Sequence, residues 1–184
     1  MNTIWGSVRA HWRKIIAVIV ALCLLGGIGY VVYAFTQQRD NPIPTEVSNA
    51  LTFSPLILPN YVTDYTTSNY QIGTGENQEQ FFTYDIHGPN DTIVSVTESR
   101  QPPEFSEVAE YKDRFLTNVV MQTSSISTAG GTLYLGRQAR QADKQLAVML
   151  ERGLLIFMNP SRPLDESTWR DIADQLEIQR MRKK

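Results

Sequence analysis

Few side chains in this sequence have the type and spacing that chemistry needs. His87 is the only histidine after the first 35 residues, and Cys23 is the only cysteine. Metal sites need several converging His, Cys or carboxylate ligands. The sequence has no H-E-x-x-H or G-x-S-x-G motif, and its glycine pairs link strands instead of opening a helix as a phosphate-binding loop does. It therefore predicts no metal and no cofactor.

One carboxylate and a group of aromatic residues are the remaining candidates for glycan chemistry. Pairs of carboxylates can do glycosidase work, and Glu98 shares the strand alternation of Val94 and Val96, which would turn it toward the apolar side near a rim. We favour the alternative that the strand ends or bulges there and leaves Glu98 in solvent. The sequence therefore predicts that the protein is not an enzyme. The aromatic residues that could stack on sugars, of a kind common in any sheet, are Tyr61, Tyr65, Tyr70 and Phe81.

The apolar segment Leu146–Met158 contains the most specific candidate for a binding surface. Ten of its thirteen residues are apolar, and a two-residue Arg152-Gly153 turn would fold it into a hairpin. Both faces of that hairpin would be apolar. Either a helix, the linker or another strand layer covers the second face, or that face binds a lipid-like ligand or a partner. The pairs predicted on this candidate face are Ala147 with Met158 and Met149 with Ile156.

Residues 15–35 contain no charge and are predicted to form a single transmembrane helix. At about 1.5 Å per residue the helix would measure about 31 Å, the thickness of a bilayer core. Arg9, Arg13 and Lys14 precede it, so the N-terminus is expected in the cytoplasm and the rest outside. Cleavage of a signal peptide after Ala34 is the competing interpretation. We favour the uncleaved anchor because the apolar run exceeds a typical signal-peptide core of about 7–15 residues.

Small residues four positions apart in the predicted membrane helix allow close contact with a second helix in the bilayer. A weak homodimer is one consequence, although such residues are common in membrane helices. The residues concerned are Ala17, Ala21, Cys23 and Gly27.

The sequence predicts four parts of the chain. They are a cytoplasmic tail at 1–14, the transmembrane helix at 15–35, a polar linker with two prolines at 36–49, and an extracytoplasmic domain at 50–184. Residues 36–184 carry 14 Lys or Arg against 19 Asp or Glu, a net charge of −5. We expect no nucleic-acid partner for so acidic a domain.

The hydrophobic periodicity of the outer domain predicts strands, a helix, more strands and a final helix. The first helix is expected from Phe105 to about Asn118, and the second begins with Asp165 as N-cap. Leu164 and Trp169 are placed to form a hydrophobic staple around that cap. This order predicts an α+β fold: an antiparallel β-sheet domain packed on two amphipathic helices, after one N-terminal transmembrane helix.

The Phe53-x-Pro55 and Leu58-Pro59 opening, the run of hairpins and the closing helix around Trp169 together resemble one group of proteins. They are bacterial single-pass membrane proteins with an extracytoplasmic α+β domain of unknown function. That domain is similar to sensor domains of anti-sigma-type regulators and to lipoprotein-carrier-like half-barrels. The resemblance covers about residues 50–178 and implies the fold. We expect no sigma-factor regulation, because the tail before the anchor is too short for a sigma-binding domain.

These observations predict a membrane-anchored, extracytoplasmic recognition domain of an envelope assembly or sensing system. Its partners would be the lipid bilayer and either a protein or an apolar ligand. The alternatives are a cell-wall or glycan-modifying enzyme and a purely structural anchor subunit.

The orientation is open to a direct test. Protease added outside intact cells or spheroplasts should degrade the chain after Phe35 and spare the first 14 residues, because the positive flank keeps those inside. The measurement is immunodetection of tags at the two ends. A protected C-terminal tag would contradict the orientation.

Overall fold

The chain folds as an α+β domain with an antiparallel sheet, as the periodicity predicts. A computed structural model describes residues 41–179 apart from 109 and 140. In these residues the helices α1 to α4 are, in chain order, Thr45–Ala50, Glu104–Glu107, Tyr111–Val119 and Glu166–Asp174. The strands β1 to β9 are Leu56–Ile57, Thr66–Thr74, Gln80–Gly88, Thr92–Arg100, Val120–Thr128, Gly131–Gln138, Gln141–Glu151, Leu154–Pro160 and Glu177–Ile178.

Several predictions fall outside the described residues. They concern the membrane segment 15–35, the tail before it, the cleavage site after Ala34 and the small-residue set. Within the part of the chain that is described, no helix is long and apolar enough to cross a membrane. The anchor and its orientation therefore stay predictions. The small-residue set consists of Ala17, Ala21, Cys23 and Gly27.

Seven strands form one sheet in the order β2-β3-β4-β8-β7-β6-β5. Every neighbouring pair is antiparallel. The chain makes the meander β2-β3-β4, passes through α2 and α3 to the far edge, and returns through β5, β6 and β7 to place β8 beside β4. Strands β1 and β9 pair separately and join the two ends of the domain. The hairpin β7–β8 therefore lies near the middle of the sheet, with β2 and β5 at its edges.

The predicted hairpin is confirmed in its register. Ala147 pairs with Met158 and Met149 with Ile156. Its two-residue turn has positive φ at both positions, 49° at Arg152 and 77° at Gly153. That turn geometry matches the twist of antiparallel strands, and Gly153 adopts it without a steric cost.

Helix α4 forms as its cap predicts. The Asp165 carboxylate accepts a hydrogen bond of 2.7 Å from the Thr168 N–H, and these contacts with the helix start lower the pKa of Asp165. Leu164 packs against the core cluster that contains Trp169, as a hydrophobic staple requires. Trp169 and Ile172 are fully buried. The helix therefore presents one apolar stripe to the sheet.

The other predicted helix is interrupted. It was expected as one helix over Phe105 to Asn118, but the chain is extended at Val108 and left-handed at Glu110, with φ 63°. The break divides it into α2 and α3. Val108 consequently leaves the apolar stripe and is 43% exposed. Periodicity alone could not show this, because the break is a matter of backbone conformation.

Part of the predicted linker belongs to the domain. Helix α1 occupies Thr45–Ala50, and all but its last residue lie in the segment 36–49 that was expected to be a linker. Ile43 is only 5% exposed, and Val47 packs against the same core cluster. The prolines suggested a linker, but Ile43 between them and Val47 after them pack into the core. Within the described residues, the packed structure therefore begins near Ile43.

Both faces of the sheet carry a hydrophobic core. The main core lies between one face, helix α4 and the segment from Ile43 to Leu58. The second core lies under α3, where Leu116 packs with Val148 and Leu155. Fully burying one such aliphatic side chain stabilises a fold by about 1.5–3 kcal/mol, so covering both faces is strongly favourable.

Candidate functional site

The predicted partner face of the hairpin is buried in the main core. All four of its side chains are 0% exposed, and they share one cluster with Trp169 and Ile172 of α4. The structure therefore matches the alternative that a helix covers this face, and not an open groove. The periodicity identified an apolar face but could not show which element covers it. The four residues are Ala147, Met149, Ile156 and Met158.

Glu98 is buried, contrary to the expectation that it meets solvent. Strand β4 continues without a bulge to Arg100, so the alternation keeps Glu98 on the core face. There it pairs with Phe82 on β3 and Ile156 on β8 and is 0% exposed. We expected β4 to end or bulge at Glu98, and this was wrong. Pairing with β8 extends β4 to Arg100, and the local sequence does not show that pairing.

The Glu98 carboxyl group is held by two neighbours. Oε2 accepts a hydrogen bond of 2.9 Å from the Leu56 N–H, and Oε1 lies 3.2 Å from the hydroxyl of Tyr84. Burial raises the pKa of Glu98 to about 8, against the opposing effect of these two contacts. A carboxyl group without exposed surface does not contact a glycan in this conformation. The position therefore argues against Glu98 as a glycosidase acid.

His87 has a partner that the sequence did not reveal. It lies in β3, half-buried, with Nε2 2.7 Å from the Oγ of Ser68 on β2. Asp85, on the same face, accepts hydrogen bonds of 2.7 Å from Ser95 and from Asn69. The two oxygens of Asp85 thus contact neighbours other than His87. This arrangement is a hydrogen-bonded polar face and lacks the orienting carboxylate of a Ser-His-Asp triad.

The four aromatic residues considered for sugar stacking are dispersed through the structure. The Tyr65 hydroxyl donates to Asp171 at 2.8 Å, and burial together with this contact raises the pKa of Tyr65. Tyr70 stacks on Phe82 with ring centroids 6.3 Å apart. The other two are Tyr61, which donates to Glu177, and Phe81, which packs over Gly73.

The edge strand β5 is the surface that the sequence did not single out. In the described residues β5 pairs only with β6, and none of its nine residues is charged or a proline. Met121 is 53% exposed. It borders an open hollow of about 670 Å³. Thr117, Val120, Met121, Gln122 and Arg137 line that hollow.

Neither a metal-binding cluster nor a similarity to known proteins assigns a function to this chain. No group of three or more His, Cys, Asp or Glu side chains converges in the residues that the structure describes. Against known proteins, the chain matches no family model, no curated protein and no solved structure. The resemblance to bacterial single-pass proteins therefore stays a prediction, and the function rests on the geometry of the domain.

The burial of the hairpin face leads to a sharp prediction. In the full-length protein in detergent, Met149→Asp with Met158→Asp should abolish cooperative melting, because two carboxylates would enter an apolar core. Met121→Asp, on the exposed edge, is the matched control and should change stability by at most about 0.5 kcal/mol. The measurement is thermal unfolding followed by circular dichroism. A double variant that melts like the wild type would show that the face is not core.

Proposed function

We propose that this protein is a membrane-anchored, extracytoplasmic recognition domain of an envelope assembly or sensing system, and that it binds an extended segment of a protein partner along β5. The open edge of β5 is the observation that carries the proposal. The anchor, the orientation and the envelope location come from the sequence, where the uncharged segment 15–35 and its basic flank support them.

A free strand edge offers a row of backbone N–H and C=O groups that an extended peptide satisfies. Natural edges are normally blocked by charged side chains, proline, bulges or a covering element. Such features are present at two places on β5. One is a bulge between Gln122 and Ser124. The other is helix α4, which packs against the strand and whose Arg170 donates to the Ser127 carbonyl at 2.8 Å. The rest of the strand has neither charge nor proline.

The opposite edge is a natural comparison. Strand β2 is also uncharged, and a helix packs against each edge, α1 on β2 and α4 on β5. Each edge also carries one bulge, but only the bulge of β2 places a residue in the left-handed conformation, Asn69 at φ 57°. Among the described residues none in β5 has a positive φ, so β5 is the better template for adding a strand.

The hollow beside β5 indicates the chemistry of the partner. A peptide that pairs with β5 directs alternate side chains to each face. One of them would reach the hollow beside Val120 and Met121, where a flexible thioether adapts to varied apolar shapes. The proposed partner is therefore an extended segment with an apolar side chain at that register position.

An apolar small ligand is less well supported than a protein. The face predicted to bind it is buried under α4, so a ligand there would have to displace Trp169 and Ile172. Partner addition at β5 requires no displacement of the core. A purely structural anchor subunit would need neither surface.

Site-specific crosslinking in cells tests the proposal. A photo-reactive amino acid in place of Gln122 on β5 should yield a protein adduct of defined size, while the same group in place of Gln71, exposed on β2, should not. With the crosslinker kept at position 122, Met121→Asp should lower the adduct yield about tenfold, since a charge then faces the partner strand. Gln71→Asp should leave the yield unchanged.

Three outcomes of this experiment would contradict partner binding at β5. Equal yields from both edges would show that β5 is not the recognition surface. Lipid adducts alone would favour an apolar ligand, and no adduct from either edge would favour a structural anchor.

A further inference from the structure

Glu98 closes a ring of hydrogen-bonding groups between three strands. Its Oε2 accepts from the Leu56 N–H of β1, and its Oε1 lies 3.2 Å from the Oη of Tyr84 on β3. The same Tyr84 Oη lies 2.8 Å from the Leu56 carbonyl oxygen. The ring therefore ties both backbone groups of Leu56 to the sheet.

The number of protons in this ring shows which protonation state of Glu98 gives every contact a donor. Tyr84 has one hydroxyl proton, yet its oxygen contacts two oxygens. If Glu98 is ionised, one of these contacts has no proton. If Glu98 is a neutral acid, its O–H donates to Tyr84, Tyr84 donates to the Leu56 carbonyl, and the Leu56 N–H donates to Glu98. Every contact then has one donor and one acceptor.

The surroundings also favour the neutral acid. Among the described residues no cation forms an ion pair with Glu98. Tyr84 faces it from β3, Tyr70 lies behind Tyr84, and Ile156 on β8 is apolar. Arg100, the next residue on the same side of β4, is exposed and donates to the Thr52 carbonyl. Burial without a countercharge raises the pKa of Glu98 from 4.5 to about 8.

We propose that Glu98 is a proton-dependent clamp that holds β1, and with it the segment entering the domain from the predicted anchor, against the sheet. This segment brings Ile43, Leu51 and Phe53 into the main core. Its β1 pairs with β9, so the clamp also holds the end of the described chain. The proposal does not depend on β5 or on a partner.

The direction of the pH effect follows from the two states of the carboxyl group. With β1 clamped the pKa of Glu98 is about 8, and with β1 released water reaches Glu98 and its pKa falls back toward the ordinary value of 4.5. The stabilising effect of the clamp is complete below the lower value and is lost as the pH rises through the upper one. Between these values each release frees one proton, so the release constant rises about tenfold per pH unit and levels off above about pH 8.

Amide hydrogen exchange in the full-length protein in detergent tests this. After correction for intrinsic rates, protection of the Leu56 amide should fall about tenfold per pH unit between pH 5 and 7.5. The Gln179 amide, which donates to the Pro55 carbonyl at 2.8 Å, should follow it. Amides of Val148 and Met149 in the central hairpin are the internal reference and should not share the slope.

Glu98→Gln is the matched variant, because its amide keeps the geometry of the neutral acid: the Nε2 group donates to Tyr84 and the oxygen accepts from Leu56. Its Leu56 protection should be independent of pH. Tyr84→Phe leaves the carboxyl group in place, so it should lower protection at every pH but keep the slope. The clamp is refuted by a flat wild type, by an equal slope in Glu98→Gln, or by an equal slope in the hairpin amides, which would mean global unfolding.

Discussion

The fold depends on one constraint: its central hairpin is apolar on both faces and has to be covered twice. An antiparallel sheet often leaves one face to water, but β7 and β8 do not allow this. Helix α4 and the segment from Ile43 to Leu58 cover one face, and α3 covers the other. The strand order follows from the same need, because it places the hairpin inside the sheet and the uncharged strands β2 and β5 at its edges.

Local sequence patterns predicted the strands and helices, but the surroundings of the hairpin and of Glu98 depend on contacts that are distant in sequence. Period-two alternation, the Arg152-Gly153 turn and the Asp165 cap each act within a few residues, so the strands, the hairpin register and α4 were predictable. What covers the hairpin was not, since α4 is brought onto it only by tertiary packing. Glu98 was misjudged for the same reason, because its burial depends on β8 and β1, which lie far away in sequence. The break at Glu110 has no signal in the periodicity.

The two proposals concern different strands of the sheet, the edge strand β5 and the interior strand β4, and are independent. In the first proposal the β5 edge recognises a partner through backbone groups that any charge-free edge strand exposes, and in the second Glu98 acts through one buried proton. Neither needs a reaction centre. Together they describe a domain whose free edge binds and whose entering segment is held by a contact that responds to pH. The polar face with Ser68 and His87 is then a surface of paired side chains.

Residue-resolved hydrogen exchange at constant pH measures the central claim, that the hairpin is covered on both faces while the β5 edge is open. The account predicts the slowest exchange in the hairpin amides, at the free energy of global unfolding. It predicts fast exchange at the amides of β5 that point away from β6 on either side of the bulge. Outward β5 amides protected as strongly as those of Met149 and Ile156 would contradict it, since the edge would then already be covered.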